Sequence, residues 1–186
     1  MRIKQFIGLA SVGLVLAACQ SSSYQIKGNA KELKDGDTLF ITSDLYHRTP
    51  IDTTFVSDGT FEFAGNVDST HICMIYAPHQ PEMNITFFLA PADICIILRR
   101  EGSRVQGPRI NNDWQELNDT IDYYGKEMKE MAMQLFENTQ ISVDEKQQLM
   151  GKMKALEDLL KQKIKETADR HREDELGQFI HSHFQD

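Results

Sequence analysis

The sequence predicts an α+β protein: an antiparallel β-sandwich or small barrel of about seven strands, followed by an antiparallel helical hairpin. Two observations support this prediction. From residue 24 to 109, short β-branched and aromatic runs alternate with turn residues at regular spacing, which is typical of antiparallel sheets and not of βαβ units. From residue 110 to 186, apolar residues recur every three or four positions, which indicates helices, here a hairpin and a C-terminal tail.

The first 23 residues precede the β region and have a different character. Arg2 and Lys4 are followed by an apolar run over residues 6–18, which is the order found in a secretory signal peptide. The run is shorter than the roughly 20 residues that a transmembrane helix needs. It ends on Leu16-Ala17-Ala18-Cys19, which resembles the lipobox of bacterial lipoproteins, where the cysteine is acylated. We expect a signal peptide over residues 1–18, lipidation at Cys19 and a lipidated tether over residues 19–23.

The predicted strands follow one another through short turns. They cover residues 24–27, 38–42, 51–56, 61–63, 71–76, 84–89 and 94–98. Asp58-Gly59 lies between two of these runs and is a strong β-hairpin signal, because glycine adopts positive φ at little cost. Pro78 and Pro81 precede the sixth predicted strand. Because proline has no N–H to donate to a sheet, we expect both residues to lie in a loop and not in a strand.

Two long helices are predicted after the strands. Asn112 with Gln115, and later Ser142 with Glu145, match the capping-box pattern of a helix start. Because each helix carries one continuous apolar seam and the loop between them is short, we expect an antiparallel hairpin, its second helix covering residues 143–172. Residues 175–184 can add one more helical turn. The seams consist of Trp114, Leu117, Ile121, Tyr124, Met128, Met131 and Leu135, and of Leu149, Met153, Leu156, Leu160 and Ile164.

The charge of the chain restricts its partners. Removing the signal takes away two of the 20 Lys and Arg residues and none of the 28 Asp and Glu residues, which leaves a net charge of −10. An acidic surface is repelled by phosphate backbones, so we expect no nucleic-acid partner. No later segment approaches membrane-spanning length, so we expect the membrane to be reached through the lipid anchor.

Three segments resemble a known module. Residues 51–65 read IDTTFVSDGTFEFAG, residues 84–97 contain FFLAPADI, and residues 105–112 read VQGPRINN. In this order they are similar to the N-terminal domain of unknown function of Gram-negative lipoproteins that carry a TlpA-like, AhpC/TSA-type thioredoxin domain. The resemblance spans residue 24 to the C-terminus, and it implies the fold and the export route.

The chain also departs from that family. Ala92 stands where glycine is usual and Pro108 replaces a serine. The family continues into a thioredoxin domain with Trp-Cys-x-x-Cys, whereas these 186 residues contain no Cys-x-x-Cys and reach Asp186 about where that domain would begin. We therefore carry over no catalytic residue and expect no enzymatic activity and no cofactor. Whether Asp186 is a natural end or a truncation is left open.

The remaining cysteines, Cys73 and Cys95, lie in predicted strands between apolar residues. Inert core thiols are favoured, and a structural disulfide between neighbouring strands stays open. A redox-active pair is disfavoured, because it needs an accessible thiolate, usually at a helix N-terminus. His181 and His183 would point to different sides of a helix, so we expect no metal site.

The end of the second helix and the tail predict an interaction surface. Ile164 lies beyond the reach of the first helix, and Phe179, Ile180 and Phe184 add apolar side chains at the same end. Uncovered apolar patches usually mark interfaces, which predicts self-association or docking of an unknown envelope protein through these four residues. The alternative is that the tail folds back and covers the seam itself.

Together these expectations predict a lipid-anchored protein of the outer membrane, on its periplasmic face. Its expected role is that of a non-enzymatic, membrane-tethered interaction module. The alternative function is the membrane-targeting half of a split or truncated thiol–disulfide oxidoreductase.

Overall fold

The computed structural model describes residues 22–137 and 140–184. Its eight strands are followed by three helices, which confirms the predicted α+β class with one strand more than expected. The strands are β1 (Ser23–Asn29), β2 (Thr38–Thr42), β3 (Asp52–Phe55), β4 (Thr60–Asn66), β5 (His71–Ala77), β6 (Gln80–Leu89), β7 (Asp93–Ile97) and β8 (Arg104–Gln106). The helices are α1 (Arg109–Glu137), α2 (Val143–Arg170) and α3 (Glu175–Phe184).

The strands form two separate four-stranded sheets. The first has the order β4-β1-β7-β8 and the second has the order β3-β2-β5-β6. All neighbours are antiparallel except β1 and β7, which run parallel. Since neither sheet closes on itself, the barrel that the sequence left open as an alternative is not formed.

The two sheets share one hydrophobic core. Side chains of β1 alternate between buried and exposed, as the period of two in a strand requires, and Ile26 is its fully buried centre. Leu39 of β2, Phe87 of β6 and Ile94 of β7 meet it in the same cluster. Burying one such side chain is worth roughly 1.5–3 kcal/mol relative to leaving it exposed.

The hairpin between β3 and β4 has the turn that its sequence predicts. Asp58 and Gly59 both have positive φ, 50° and 67°, and the N–H of Thr60 donates to the carbonyl of Ser57. Positive φ at both central residues defines a type I′ turn, which matches the twist of the flanking strands. The Asp-Gly prediction is confirmed.

Two strand predictions were wrong. β8 was not predicted, because only one of its three residues, Val105, is apolar. β6 begins at Gln80, so Pro81 lies inside a strand and not in a loop. It is tolerated because β6 is at the edge of its sheet, where one side of the strand needs no N–H donor.

Helix α1 begins at Arg109, three residues before the predicted capping box, and that prediction was wrong. Neither residue of the predicted box caps the helix, because Asn112 bonds to the backbone of Gly107 and Gln115 to that of Val105, while the neighbouring Asn111 binds β6. The N–H of Phe88 donates to Asn111 Oδ1 (2.8 Å), and Asn111 Nδ2 donates to the carbonyl of Phe88 (2.7 Å). On the other sheet, the N–H of Val105 donates to Gln115 Oε1 (2.7 Å). The first turns of α1 therefore satisfy backbone groups at the edges of both β6 and β8.

These contacts set the direction of α1. Along the helix, Asn112 bonds to the backbone of Gly107, Gln115 to Val105 and Asp119 to Arg104, so α1 runs antiparallel to β8. Since β8 is antiparallel to β7, and β7 is parallel to β1, α1 runs in the direction of β1. Its 29 residues span about 43 Å, whereas the seven residues of β1 span about 23 Å. The second half of α1 therefore extends beyond the sheets.

Helix α2 returns alongside α1 as an antiparallel partner. Its predicted capping box is confirmed: the N–H of Glu145 donates to Ser142 Oγ, and the N–H of Ser142 donates to the Glu145 carboxylate (2.9 Å). It ends at Arg170, two residues earlier than predicted, and α3 is a ten-residue helix instead of a single turn. Among the described helices, none combines the length and apolarity needed to cross a membrane.

Candidate interaction surface

The structure places the four predicted docking residues in or next to the core. Ile180 is fully buried, and Ile164 and Phe179 are partly buried against the core cluster. Of the four residues, Phe184 alone counts as exposed. The structure has the arrangement that the sequence left open as the alternative. Helix α3 folds back onto α2 and β5 and covers the end of the α2 seam. An open patch formed by these four residues is therefore a prediction that has to be corrected.

An aromatic cluster holds α3 in place. The ring of Phe179 lies 5.4 Å from the Trp114 ring and 6.4 Å from the Phe88 ring, centroid to centroid, in edge-to-face geometry. Trp114 also donates through Nε1 to the carbonyl of Thr86 (2.9 Å). The cluster thus joins β6, α1 and α3.

A cluster of charged side chains around the buried ring of His171 holds the same junction. The ring of His171 is almost fully buried, with Nδ1 2.6 Å from Asp174 Oδ2 and Nε2 2.8 Å from Asp113 Oδ2. Each ring nitrogen therefore lies within hydrogen-bond distance of a carboxylate oxygen. Asp174 Oδ1 also accepts from the N–H groups of Leu176 and Gly177, which makes it the N-cap of α3.

The charges around Asp113 favour its ionised form. Partial burial raises the pKa of this carboxyl, but the hydrogen bond from His171 and the charge of Arg170 outweigh burial and hold the pKa below its usual value. Arg109 adds an ion pair at 3.3 Å. The carboxylates of Asp174 and Asp113 contact opposite sides of the His171 ring, so these charged groups do not converge on one point. Among the described residues no His, Cys, Asp and Glu side chains form a metal-binding group.

In the described part of the hairpin beyond this junction, no sheet packs against the two helices. The core cluster reaches Ile121 on α1 and Ile164 on α2, and the seam residues further out are only half-buried. Several large apolar side chains in this part are exposed: Tyr123, Met133, Phe136, Val143, Met150 and Leu159. We call residues 121–137 and 143–160 the distal hairpin.

One face of the distal hairpin forms an apolar groove, which we call the distal groove. It is lined by Met128, Ala132, Leu135 and Phe136 of α1 and by Met150 and Met153 of α2, with Lys146, Lys154 and Glu157 beside them. Three methionines give the groove an adaptable floor, because an unbranched thioether side chain fits many shapes. The sequence analysis missed Phe136 and Met150, which lie beside the seams. The i, i+4 repeats of residues 128, 132 and 136 and of 146, 150 and 154 are the signal that could have found them.

The two described cysteines are free thiols in different sheets. Cys73 in β5 is fully buried, and burial raises the pKa of its thiol to about 12. Cys95 in β7 is exposed, beside Lys27 of β1 and Gln106 of β8. The disulfide that the sequence left open is not formed. Cys19 lies outside the described residues.

Comparison with known proteins gives one match. Residues 24–114 are similar to the family described as "Domain of unknown function (DUF4369)". The matched segment contains all residues of the eight strands except Ser23 and ends within α1 at Trp114, so it includes Asn111 and its contact with β6. The distal hairpin lies outside it. No curated protein and no solved structure matches the chain significantly.

Proposed function

We propose that the protein is a bacterial lipoprotein, held at the periplasmic face of the outer membrane by acylated Cys19, that acts as a non-enzymatic interaction module. Its β domain is a sandwich scaffold, and its distal groove is the docking surface. The observation that supports docking is the exposure of Phe136 and Met150 on one face of a hairpin that extends beyond the sheets. Exposed apolar surface of this kind usually marks an interface.

The direction of the hairpin suits a tethered module. β1 begins at Ser23, four residues after Cys19, and Gln25 pairs with Asp93. Asp93 is also the neighbour of Gly107, from which α1 sets out in the direction of β1. The first residues of β1 and the start of the hairpin therefore lie at the same end of the described structure. This direction supports a proposed orientation in which the distal groove faces away from the membrane, towards partners in the periplasm.

The alternative function is the targeting half of a split thiol–disulfide oxidoreductase. Its support is the resemblance of residues 51–65 to the domain that precedes a TlpA-like thioredoxin domain. A neighbouring reading frame that begins with Trp-Cys-x-x-Cys would favour it. For the non-enzymatic role we expect insulin reduction by dithiothreitol to run at its background rate in the presence of the protein. An acceleration that is lost in Cys95→Ala would contradict that role.

Lipid anchoring is tested by fatty-acid labelling in cells. Label should enter the wild-type protein and should be absent from Cys19→Ser, which should also leave the membrane fraction. Cys95→Ser is the matched control, because it removes an exposed thiol elsewhere and should label like the wild type. Equal labelling of Cys19→Ser and the wild type would overturn the proposal.

A further inference from the structure

We propose that the end of the β domain at which β1 begins rests on the membrane, with Tyr46 and Ile51 inserted among the lipid head groups. The inference rests on the proposed function, because it takes Cys19 to be acylated, and it adds a direct contact between the folded domain and the bilayer. The connections at this end are called the proximal loops, and those at the other end are called the opposite loops. The proximal loops are residues 43–51, 67–70, 90–92 and 107–108, and the opposite loops are residues 30–37, 56–59, 78–79 and 98–103.

Contacts at the start of β1 place the proximal loops beside it. The N–H of Val67 donates to the carbonyl of Ser22 (2.7 Å). The hydroxyl of Tyr24 donates to Asp52 Oδ2 (3.3 Å), directly after the loop 43–51. These loops of both sheets therefore lie at the end of the domain where the described chain begins.

The length of chain before β1 keeps this end near the bilayer. Cys19 precedes Ser23 by four residues. An extended chain spans at most about 3.3–3.6 Å per residue, so these two residues are at most about 14 Å apart. The opposite loops lie about 23 Å further along the seven residues of β1, where the N–H of Ala30 donates to the carbonyl of Gly59. An acylated Cys19 therefore holds the proximal loops within reach of the head groups.

The two ends differ in their density of charge. The proximal loops carry three Asp, Glu, Lys or Arg side chains in 18 residues, whereas the opposite loops carry nine in 20 residues. Because a charged group loses hydration when it enters a membrane, the sparsely charged end is the one that suits this contact. The charged residues are Asp44, Arg48 and Asp68 in the proximal loops, and Lys31, Glu32, Lys34, Asp35, Asp37, Asp58, Arg99, Arg100 and Glu101 in the opposite loops.

Two large apolar side chains of the proximal loops are exposed. Tyr46 is 86% exposed and Ile51 is 57% exposed. Tyrosine is enriched at membrane–water interfaces, because its ring is apolar while its hydroxyl stays hydrated. A single acyl chain binds a membrane only marginally, so burial of these two side chains strengthens the anchor.

Hydrogen bonds hold the loop that carries these side chains. The N–H of Tyr46 donates to Asp44 Oδ1 (3.1 Å), and the hydroxyl of Tyr76 donates to the carbonyl of Arg48 (2.7 Å). The charges of Asp44 and Arg48 balance within the loop. The contact therefore depends on apolar burial and needs no anionic lipid.

The test uses the full, acylated chain in phosphatidylcholine vesicles. A nitrobenzoxadiazole fluorophore is attached to Thr49→Cys, in a Cys95→Ser background that lacks the exposed thiol. Nitroxide-labelled lipids should quench this fluorophore strongly, and they should quench the same fluorophore on Asp35→Cys in the opposite loops only weakly. In the chain labelled at position 49, Tyr46→Ser/Ile51→Ser should lower the equilibrium constant for insertion of the loop about 10-fold, so that quenching falls towards the weaker level.

The control is matched in exposure. Phe55 and Phe136 are 63% and 86% exposed, and they lie at the other end of β3 and in the distal groove. Phe55→Ser/Phe136→Ser should leave the quenching at position 49 unchanged. Circular dichroism checks that both double variants remain folded, which is expected because all four side chains are largely exposed.

The outcomes separate this inference from the proposed function. Quenching that is stronger at Thr49→Cys than at Asp35→Cys, and that falls in Tyr46→Ser/Ile51→Ser, supports the contact. Equal quenching at both positions of the vesicle-bound chain would overturn the contact and leave the lipid anchor standing. In cells, a photo-reactive amino acid at position 49 should form adducts with lipid, and an adduct with a protein would overturn the bilayer as the partner. Fatty-acid labelling that persists in Cys19→Ser would overturn the proposed anchor and this inference with it.

Discussion

Asn111 makes two hydrogen bonds to the backbone of Phe88, one through each end of its side-chain amide. An adjacent strand would use its own N–H and C=O in the same way. Because both partners are buried, losing them leaves a donor and an acceptor that water cannot reach. One side chain thus takes the place of a strand residue at the edge of β6.

We predict that Asn111→Ala lowers the free energy of unfolding by about 2–3 kcal/mol, the cost of buried polar groups left without partners. Urea denaturation followed by far-UV circular dichroism measures the change. Asn118→Ala is the matched control, because Asn118 lies in the same helix and is only half-buried. Equal effects of the two substitutions would mean that helix propensity, and not the contact with Phe88, explains the loss.

Asp113 gives a pH-dependent prediction. Its pKa is lower in the folded protein than its ordinary value of 3.8, so its stabilising contribution is complete well above pH 4 and is lost as the pH falls through the folded value. Asp113→Asn should therefore be less stable than the wild type at pH 7, by about 1–3 kcal/mol, and the difference should shrink below pH 4.

Denaturant midpoints of both proteins between pH 3 and pH 7 test this prediction. Asp122→Asn is the control, since Asp122 is an exposed carboxylate of the same helix. Its effect should stay small throughout the range. A gap between wild type and Asp113→Asn that does not change with pH would show that the ion cluster around His171 is not the source of the stability.

At the scale of elements, α3 is held by the aromatic contacts of Phe179 and by one close approach of its backbone to His171. Phe179 packs edge-to-face against Trp114, and Gly177 lies so near His171 that a Cβ atom would sit 2.0 Å from the His171 carbonyl oxygen. A helix of ten residues is marginal alone in water, so tertiary contacts of this kind keep it folded.

We predict that Phe179→Ser destabilises the protein by about 1.5–3 kcal/mol, because it removes a partly buried aromatic side chain. Trp114 is the only tryptophan of the chain, so its fluorescence reports directly on α3. The emission should shift to longer wavelength in Phe179→Ser. Phe184→Ser, at the exposed end of the helix, should change it little. Similar spectra for both variants would contradict the packing described here.

The helix and strand boundaries also show which parts of the fold could be predicted from the sequence. The turn at Asp58-Gly59 and the start of α2 at Ser142 were predicted because the signal and the structure that it specifies are local. The start of α1 was not, because Asn112 and Gln115 match a capping box while their partners lie in β8 and in the loop after it. The seams of α1 and α2 predicted the hairpin, but not how much of it the sheets would cover.

At the scale of the whole molecule, stability should be uneven. The β domain, the first turns of α1 and the end of α2 share one core, whereas the distal hairpin has only its own half-buried seam. We predict that amide hydrogens of residues 124–134 exchange with solvent about 10- to 100-fold faster than those of β5 and β6.

Hydrogen exchange with mass spectrometry measures these rates, and amides of residues 111–117, which pack on the sheets, are the internal control. Uniform protection along the whole of α1 would contradict an independent distal hairpin.

The parallel pair of β1 and β7 has a consequence for the order in which the protein folds. β1 is the first described strand of the chain and a central strand of its sheet. One of its two neighbours, β7, comes much later in the chain, since Gln25 of β1 pairs with Asp93 of β7. Pairs so far apart in sequence raise the contact order and slow folding, because the intervening loop must close first. The first sheet cannot be completed until almost all of the β region has been synthesised.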